Sequence, residues 1–213
     1  MIAIIDYKAG NLRSVERALN HLDQPCAITA DPETILAADR VVFPGVGAAG
    51  SAMANLRSSQ LDEVLRQVID RGTPFLGICI GFQLLFEASG EDDATCLGVL
   101  PGQVVRFPEG HTDPLTNQPL KIPHMGWSHV DFVQNHPLFE GISEGSEFYF
   151  VHSYYPEVGD ESIISARADY GIRFACGVIR DNVAAFQFHP EKSGRPGLKL
   201  LENFCCWEPA EPC

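Results

Sequence analysis

Basic residues are scarce in this 213-residue sequence: 15 lysines and arginines stand against 28 aspartates and glutamates, for a formal net charge of −13. Such a surface is a poor match for nucleic acid or for an anionic membrane, and neither is an expected partner. Long apolar runs are also missing, and none approaches the roughly 18 residues that a membrane span needs. The opening Met1-Ile-Ala-Ile-Ile5 meets Asp6 and a glycine turn, so it reads as a first strand and not as a secretory signal. Paired cysteine spacing is the third absence. The seven cysteines, at 26, 79, 96, 176, 205, 206 and 213, contain no C-x-x-C, which argues against a disulfide framework or a zinc ribbon. Unpaired thiols suit a reducing compartment, and a cytoplasmic location is expected, with neither metal nor cofactor.

What is present is a globular composition, 45 % hydrophobic and 20 % charged, enough to bury a sizeable core. One domain over residues 1–204 is expected, with a short tail, 205–213, to which no role is assigned. Apolar runs at 2–5, 26–29, 40–43 and 74–78 read as strands. Between them, Leu12, Val15, Leu19 and Leu22 follow Asn11 as a capped helical face, Asp31-Pro32 opens a second helix, and Leu61, Val64, Leu65 and Val68 mark another that Gly72 stops. This alternation predicts an α/β fold, with a central, mostly parallel mixed sheet flanked by helices. From about residue 97 the pattern changes to short alternating runs at 99–107, 129–133, 148–152, 162–168, 175–180 and 183–188. These read as antiparallel strands added to the sheet, with a closing helix over 195–204.

The strand ending at Ile78 leads into Gly77-Ile78-Cys79-Ile80-Gly81, with a helix expected from Leu84. G-x-C-x-G between strand and helix is the cysteine counterpart of the G-x-S-x-G nucleophile elbow: the sharp turn lifts the side chain out at the sheet edge, and the helix N-terminus favours a thiolate. By itself Cys79 reads slightly better as a small buried hydrophobe at a strand end. A base is needed. His189 follows the apolar run Val183–Phe188, and Glu191 comes two residues later, after Pro190; an extended segment would put both side chains on one side, with Glu191 orienting the imidazole. The two signals together outweigh either alone.

A second glycine loop invites another interpretation. Gly45-Val46-Gly47-Ala48-Ala49-Gly50 satisfies G-x-G-x-x-G after a strand, which would suit a nucleotide-binding Rossmann module. The next strand, however, ends at Cys79 without the acid that would hold a ribose. In an elbow enzyme such a loop supplies an oxyanion donor instead, beside the N–H of Ile80.

With DYKAGNLRSV at 6–15, PGVG at 44–47, GICIGFQ at 77–83, HMGWS at 124–128, YFVHSYY at 149–155 and QFHPEKSGRPGL at 187–198, nearly the whole chain resembles the class I (triad) glutamine amidotransferases, and within them the glutaminase subunits of imidazole glycerol phosphate synthase. The resemblance implies hydrolysis of glutamine to glutamate and ammonia by Cys79, His189 and Glu191. It further implies an oxyanion hole from Ile80 and Val46, a pocket formed by Gly45, Gly47, Gln83, Ser153 and Tyr154, and a separate (β/α)8-barrel cyclase chain that receives the ammonia for histidine biosynthesis in a heterodimer. Asn11, Trp127, Tyr149 and Lys192 match interface positions. The isolated chain would be nearly inactive, with the Val46 peptide presenting its N–H only once the partner and its ligand are bound. Another class I amidotransferase, or a cysteine hydrolase with a different acceptor, is the alternative. Ser128 stands where the family usually carries Asn, and Ile80 and Phe82 where Leu and Met are commoner.

Overall fold

The computed structural model of the chain describes residues 1–112 and 116–209. The first half contains β1 (Ile2–Ile5), α1 (Leu12–His21), β2 (Cys26–Thr29), α2 (Pro32–Leu36), β3 (Arg40–Phe43), α3 (Ala49–Ser58), α4 (Leu61–Asp70), β4 (Phe75–Ile78) and the single-turn α5 (Ile80–Gln83). The second half runs through β5 (Ala88–Ser89), β6 (Ala94–Thr95), β7 (Gly102–Arg106), β8 (His124–His129), β9 (Asp131–Phe132), β10 (Glu147–His152) and β11 (Tyr154–Val158). It closes with β12 (Ile164–Asp169), β13 (Arg173–Arg180), β14 (Val183–Phe186) and α6 (Gly194–Cys206).

The main sheet has the order β2-β1-β3-β4-β14-β13-β12-β9. Its pairings are parallel from β2 through to β14 and antiparallel from there to β9. Every residue of β1, β3, β4 and β14 is buried, as expected for strands covered on both faces. Alternation then sorts the side chains into two layers. Ala3, Ile5, Val41, Phe43, Phe75 and Ala185 pack with residues of α2, α3 and α4, while Ile2, Ile4, Val42, Leu76, Ile78 and Phe186 pack with those of α1 and α6. The helical faces are those that the periodicity indicates. Leu61, Val64, Leu65 and Val68 are buried on α4, and Gly72 at φ 77° ends that helix, where Thr73 N–H donates to the Val68 carbonyl.

Three expectations are corrected. Residues 99–107 and 148–152 do not extend the main sheet: β7 lies in a four-stranded sheet of order β11-β7-β5-β6, and β10 pairs with β8 in a separate ribbon. The helix after Cys79 begins at once, at Ile80, and not at Leu84, because the elbow turn is completed within the single residue Cys79. The closing helix runs on to Cys206, and Arg40 anchors its end. The Arg40 guanidinium donates to the carbonyls of Cys205 and Trp207 and pairs with Glu208, while Trp207 is buried. The expected tail therefore begins inside the fold, and Cys213 lies outside the described residues. Among the described residues no helix is long and apolar enough to cross a membrane.

Candidate active site

β4 and β14 lie side by side at the centre of the main sheet, and the two functional segments leave from their ends. Cys79 has φ 55° and ψ −109°, a strained conformation for a non-glycine residue, held by its own N–H donating to Phe186 at 2.9 Å and its carbonyl accepting from Phe82 and Gln83. The flanking glycines are dictated by contact. A Cβ on Gly81 would lie 1.8 Å from the Phe43 carbonyl oxygen, and one on Gly77 3.0 Å from the Ala185 Cβ. G-x-C-x-G is therefore the pattern that lets α5 dock this closely on β3 while lifting the sulfur over the sheet edge.

His189 is fully buried, and its N–H donates to the Tyr149 carbonyl at 2.9 Å. Its Nδ1 lies 2.8 Å from Glu191 Oε1. The pair does not form through an extended segment: Pro190–Lys192 is a 3-10 turn, and the turn swings Glu191 back onto the ring. Asn11 completes the cluster. Expected as a helix cap, it makes no side-chain cap; at φ 73° it sends its Nδ2 to Glu191 Oε1 at 2.6 Å. Burial by itself would lower the His189 imidazole, but the charges of Cys79 and Glu191 outweigh it and push it up to about 10. Its buried Nε2 has no partner of ordinary hydrogen-bond geometry among the described residues, and Cys79 lies near enough to raise the imidazole by hydrogen bonding as well as by charge, so Nε2 is placed to serve a group reacting at that sulfur. The other thiols are poorly prepared. Burial pushes Cys96 up to about 11 and Cys205 to about 12, and raises Cys176 strongly.

A cavity of about 310 Å³ opens over Cys79, lined also by Val46, Gly47, Ile80, Gln83, Glu91, Pro123, Val151, His152, Ser153 and Tyr154. That volume suits a small ligand. The expected pocket residues are thus brought together, with one difference. Gly45 sits beneath the cavity wall, where a Cβ would meet Tyr7 Oη and Ile80 Cγ2 at 1.9 and 2.6 Å, and Tyr7 in turn donates to the Pro44 carbonyl. Val46 is 40 % exposed and lies against Gly10, leaving no room there for a Cβ. Glu91 escapes a reading of the sequence because Glu91-Asp92-Asp93 looks like a solvated turn. In the fold it lines the cavity, and burial raises its carboxyl although Ala49 N–H donates to it. The expected interface residues also cluster beside the triad. Trp127 and Tyr149 are cross-strand partners with ring centroids 6.0 Å apart, Lys192 Nζ stands 6.0 Å above the Tyr149 ring, and Met125 adds a further exposed side chain that the sequence does not single out.

The third glycine of the Rossmann-like motif, Gly50, packs against Asp92, and no acid ends β4, so the loop lacks a dinucleotide site's ribose contact. Residues 3–206 match the glutamine amidotransferase class-I family. The imidazole glycerol phosphate synthase subunit HisH of Methylococcus capsulatus is 52 % identical over 98 % of this chain and 97 % of its own. That of Nitratidesulfovibrio vulgaris is 52 % identical over 99 % of each, and that of Dehalococcoides mccartyi 48 % identical over 96 % of each. Among solved structures, a glutamine amidotransferase superimposes with a TM-score of 0.72 at 19 % identity, covering 96 % of this chain and all of its own. A chain of PurLQS from Thermotoga maritima also gives 0.72, at 18 % identity over 96 % of this chain and 97 % of its own; both share the fold. The chain belongs to the class-I glutamine amidotransferase family and, within it, to the HisH subunits of imidazole glycerol phosphate synthase.

Proposed function

We propose that this chain is the glutaminase subunit of an imidazole glycerol phosphate synthase, releasing ammonia from L-glutamine for a cyclase subunit in histidine biosynthesis. The observation that carries this reading is the strained Cys79 at the floor of a ligand-sized cavity, beside a buried His189–Glu191 pair. Cys79 Sγ attacks the side-chain amide carbon of glutamine. The negative oxygen that forms is met by backbone N–H groups of Ile80 and the Val46 peptide. His189, with Nδ1 held by Glu191, uses Nε2 to protonate the departing ammonia, then takes a proton from the water that hydrolyses the thioester. Glutamate leaves and the thiolate returns.

Glu91 is the carboxylate that an α-ammonium would satisfy in this cavity, while Gln83, Ser153 and Tyr154 hold the rest of the amino-acid end. Asn11, Trp127, Tyr149 and Lys192 form the docking face for the cyclase, a (β/α)8 barrel on a separate chain. At −13, the chain leaves phosphorylated acceptors to that partner. The cytoplasm is the proposed location. A diazo glutamine analogue should label Cys79 in the wild type and nothing in Cys79→Ala; labelling that persists in the variant would sink the assignment.

A further inference from the structure

One fully buried polar side chain beside Cys79, that of Gln187, has no task in the proposed reaction. We propose that Gln187 is a further catalytic residue, its side-chain N–H donating to the Cys79 sulfur so that the thiolate is both stabilised and aimed. This rests on the glutaminase reading of Cys79.

The direction of every hydrogen bond involved is set by one atom, the backbone carbonyl oxygen of Tyr154, which can only accept. Gln83 reaches it at 3.0 Å, so the nitrogen end of the Gln83 amide faces Tyr154. The second N–H of that nitrogen goes to Gln187 Oε1 at 2.9 Å. Gln187 is thereby turned with its oxygen toward Gln83 and its Nε2 toward Cys79, 3.8 Å from Sγ. Turning the Gln187 amide over would set two nitrogen ends against each other and a carbonyl oxygen against a thiolate, so the orientation is opposed at both ends.

The Tyr154 carbonyl is itself fixed from the other side. His152 Nδ1 lies 2.8 Å from it and must carry the proton. His152 Nε2 then accepts from His124 Nδ1 at 3.0 Å, and His124 Nε2 accepts from the Ser128 hydroxyl at 2.9 Å. Burial keeps both rings neutral, pushing His152 down to about 3 and His124 to about 4. Two donor chains thus end on one oxygen, and neither can reverse without losing its own bond to that carbonyl. With Cys79 only 6 % exposed, water is a poor substitute for the Gln187 donor.

The titratable groups facing the sulfur are His189, and through it Glu191, together with Tyr7 from the loop after β1, His152 from β10 and Glu91 across the cavity. All are unchanged in a Gln187 variant, so a difference in pH profile isolates the amide. Alkylation of Cys79 by iodoacetamide is followed by mass spectrometry of its peptide in the intact chain, for wild type, Q187M and the near-isosteric Q187E. The expected result is an alkylation profile displaced about one pH unit upward in Q187M and further in Q187E. The rate at neutral pH then falls about tenfold while the high-pH plateau is kept. An unchanged profile in folded Q187M overturns the proposal, as does a displacement confined to Q187E, which reports only the added charge. An equal loss at every pH overturns it too, because it marks a merely structural role. If the diazo analogue fails to label Cys79 in the wild type, the glutaminase reading falls first and takes this proposal with it; labelling there, with Q187M indistinguishable from wild type, removes Gln187 alone.

Discussion

His189 and His152 are buried in the same site, yet their imidazoles move in opposite directions because their neighbours differ. His189 faces Cys79 and Glu191, and its folded value is raised above the unfolded one of about 6.5. The stability it contributes is complete below that pH and is lost as pH rises toward about 10. The stability gap between wild type and Glu191→Gln should therefore be widest at or below neutrality and narrow toward pH 10, read by denaturant titration, while glutaminase activity of the variant falls about 10²- to 10⁴-fold. His152 and His124 face each other, burial rather than a carboxylate governs both among the described residues, and their folded values of about 3 and 4 lie below the unfolded one. Between about pH 6.5 and 4 the unfolded chain binds protons that the fold refuses, so stability falls with falling pH, by up to about 1.4 kcal/mol per unit for each ring. Urea titrations across that window should show the slope, and a His124→Asn, His152→Gln double variant should flatten it. In the sequence Cys79, His189 and Glu191 are legible because the proposed nucleophile, base and acid follow the ends of apolar strands. Asn11 was not legible as a partner of Glu191, since a residue before a helical face looks like a cap, and its left-handed backbone is a product of the fold.

The elbow shows how an element is dictated by its neighbours. α5 is one turn long and has no periodicity to betray it, which is why the sequence pattern points to a start at Leu84; only the approach of Gly81 to β3 sets it. Gly81→Ala should cost about 3 kcal/mol or more, because a backbone carbonyl cannot move aside, and should lower both the melting temperature and the yield of labelled Cys79. Gly72 gives a contrast, with its Cβ direction open: there Ala meets only the left-handed backbone and should cost about 1 kcal/mol. The long helices and buried strands were legible for the opposite reason, that each carries its own pattern. The two-residue strands β5, β6 and β9 are too short for a pattern, and the β8–β10 ribbon is defined by pairing across distant sequence.

At the scale of the molecule, the aromatic ribbon beside the triad leaves Met125 62 % and Trp127 52 % exposed, a poor arrangement for a surface meant to stay in water. Its outer face is proposed to receive the cyclase, and its inner face carries the Ser128–His124–His152 chain that ends at the cavity. Glutaminase activity should rise sharply when a cyclase chain is added, and Trp127→Ala should weaken the complex about 30-fold in titration calorimetry. Equal glutaminase rates with and without the partner would remove the proposed coupling. Arg40, buried and with each guanidinium nitrogen bonded to one of Cys205, Trp207 and Glu208, makes a separate prediction: Arg40→Met should cost about 2–4 kcal/mol by freeing Trp207 and leaving carbonyls unpaired.

Cys79 and Gln187 meet just past the ends of the adjacent strands β4 and β14, although they are 108 residues apart in the chain. On the ribosome the thiol is therefore made long before the groups that would activate it, and β14 must slot in beside β4 before any of them can act together. A nascent or truncated chain carries a nucleophile with no base and no aligned amide. Glutamine turnover by the proposed triad therefore waits until β14 has been made and has paired with β4.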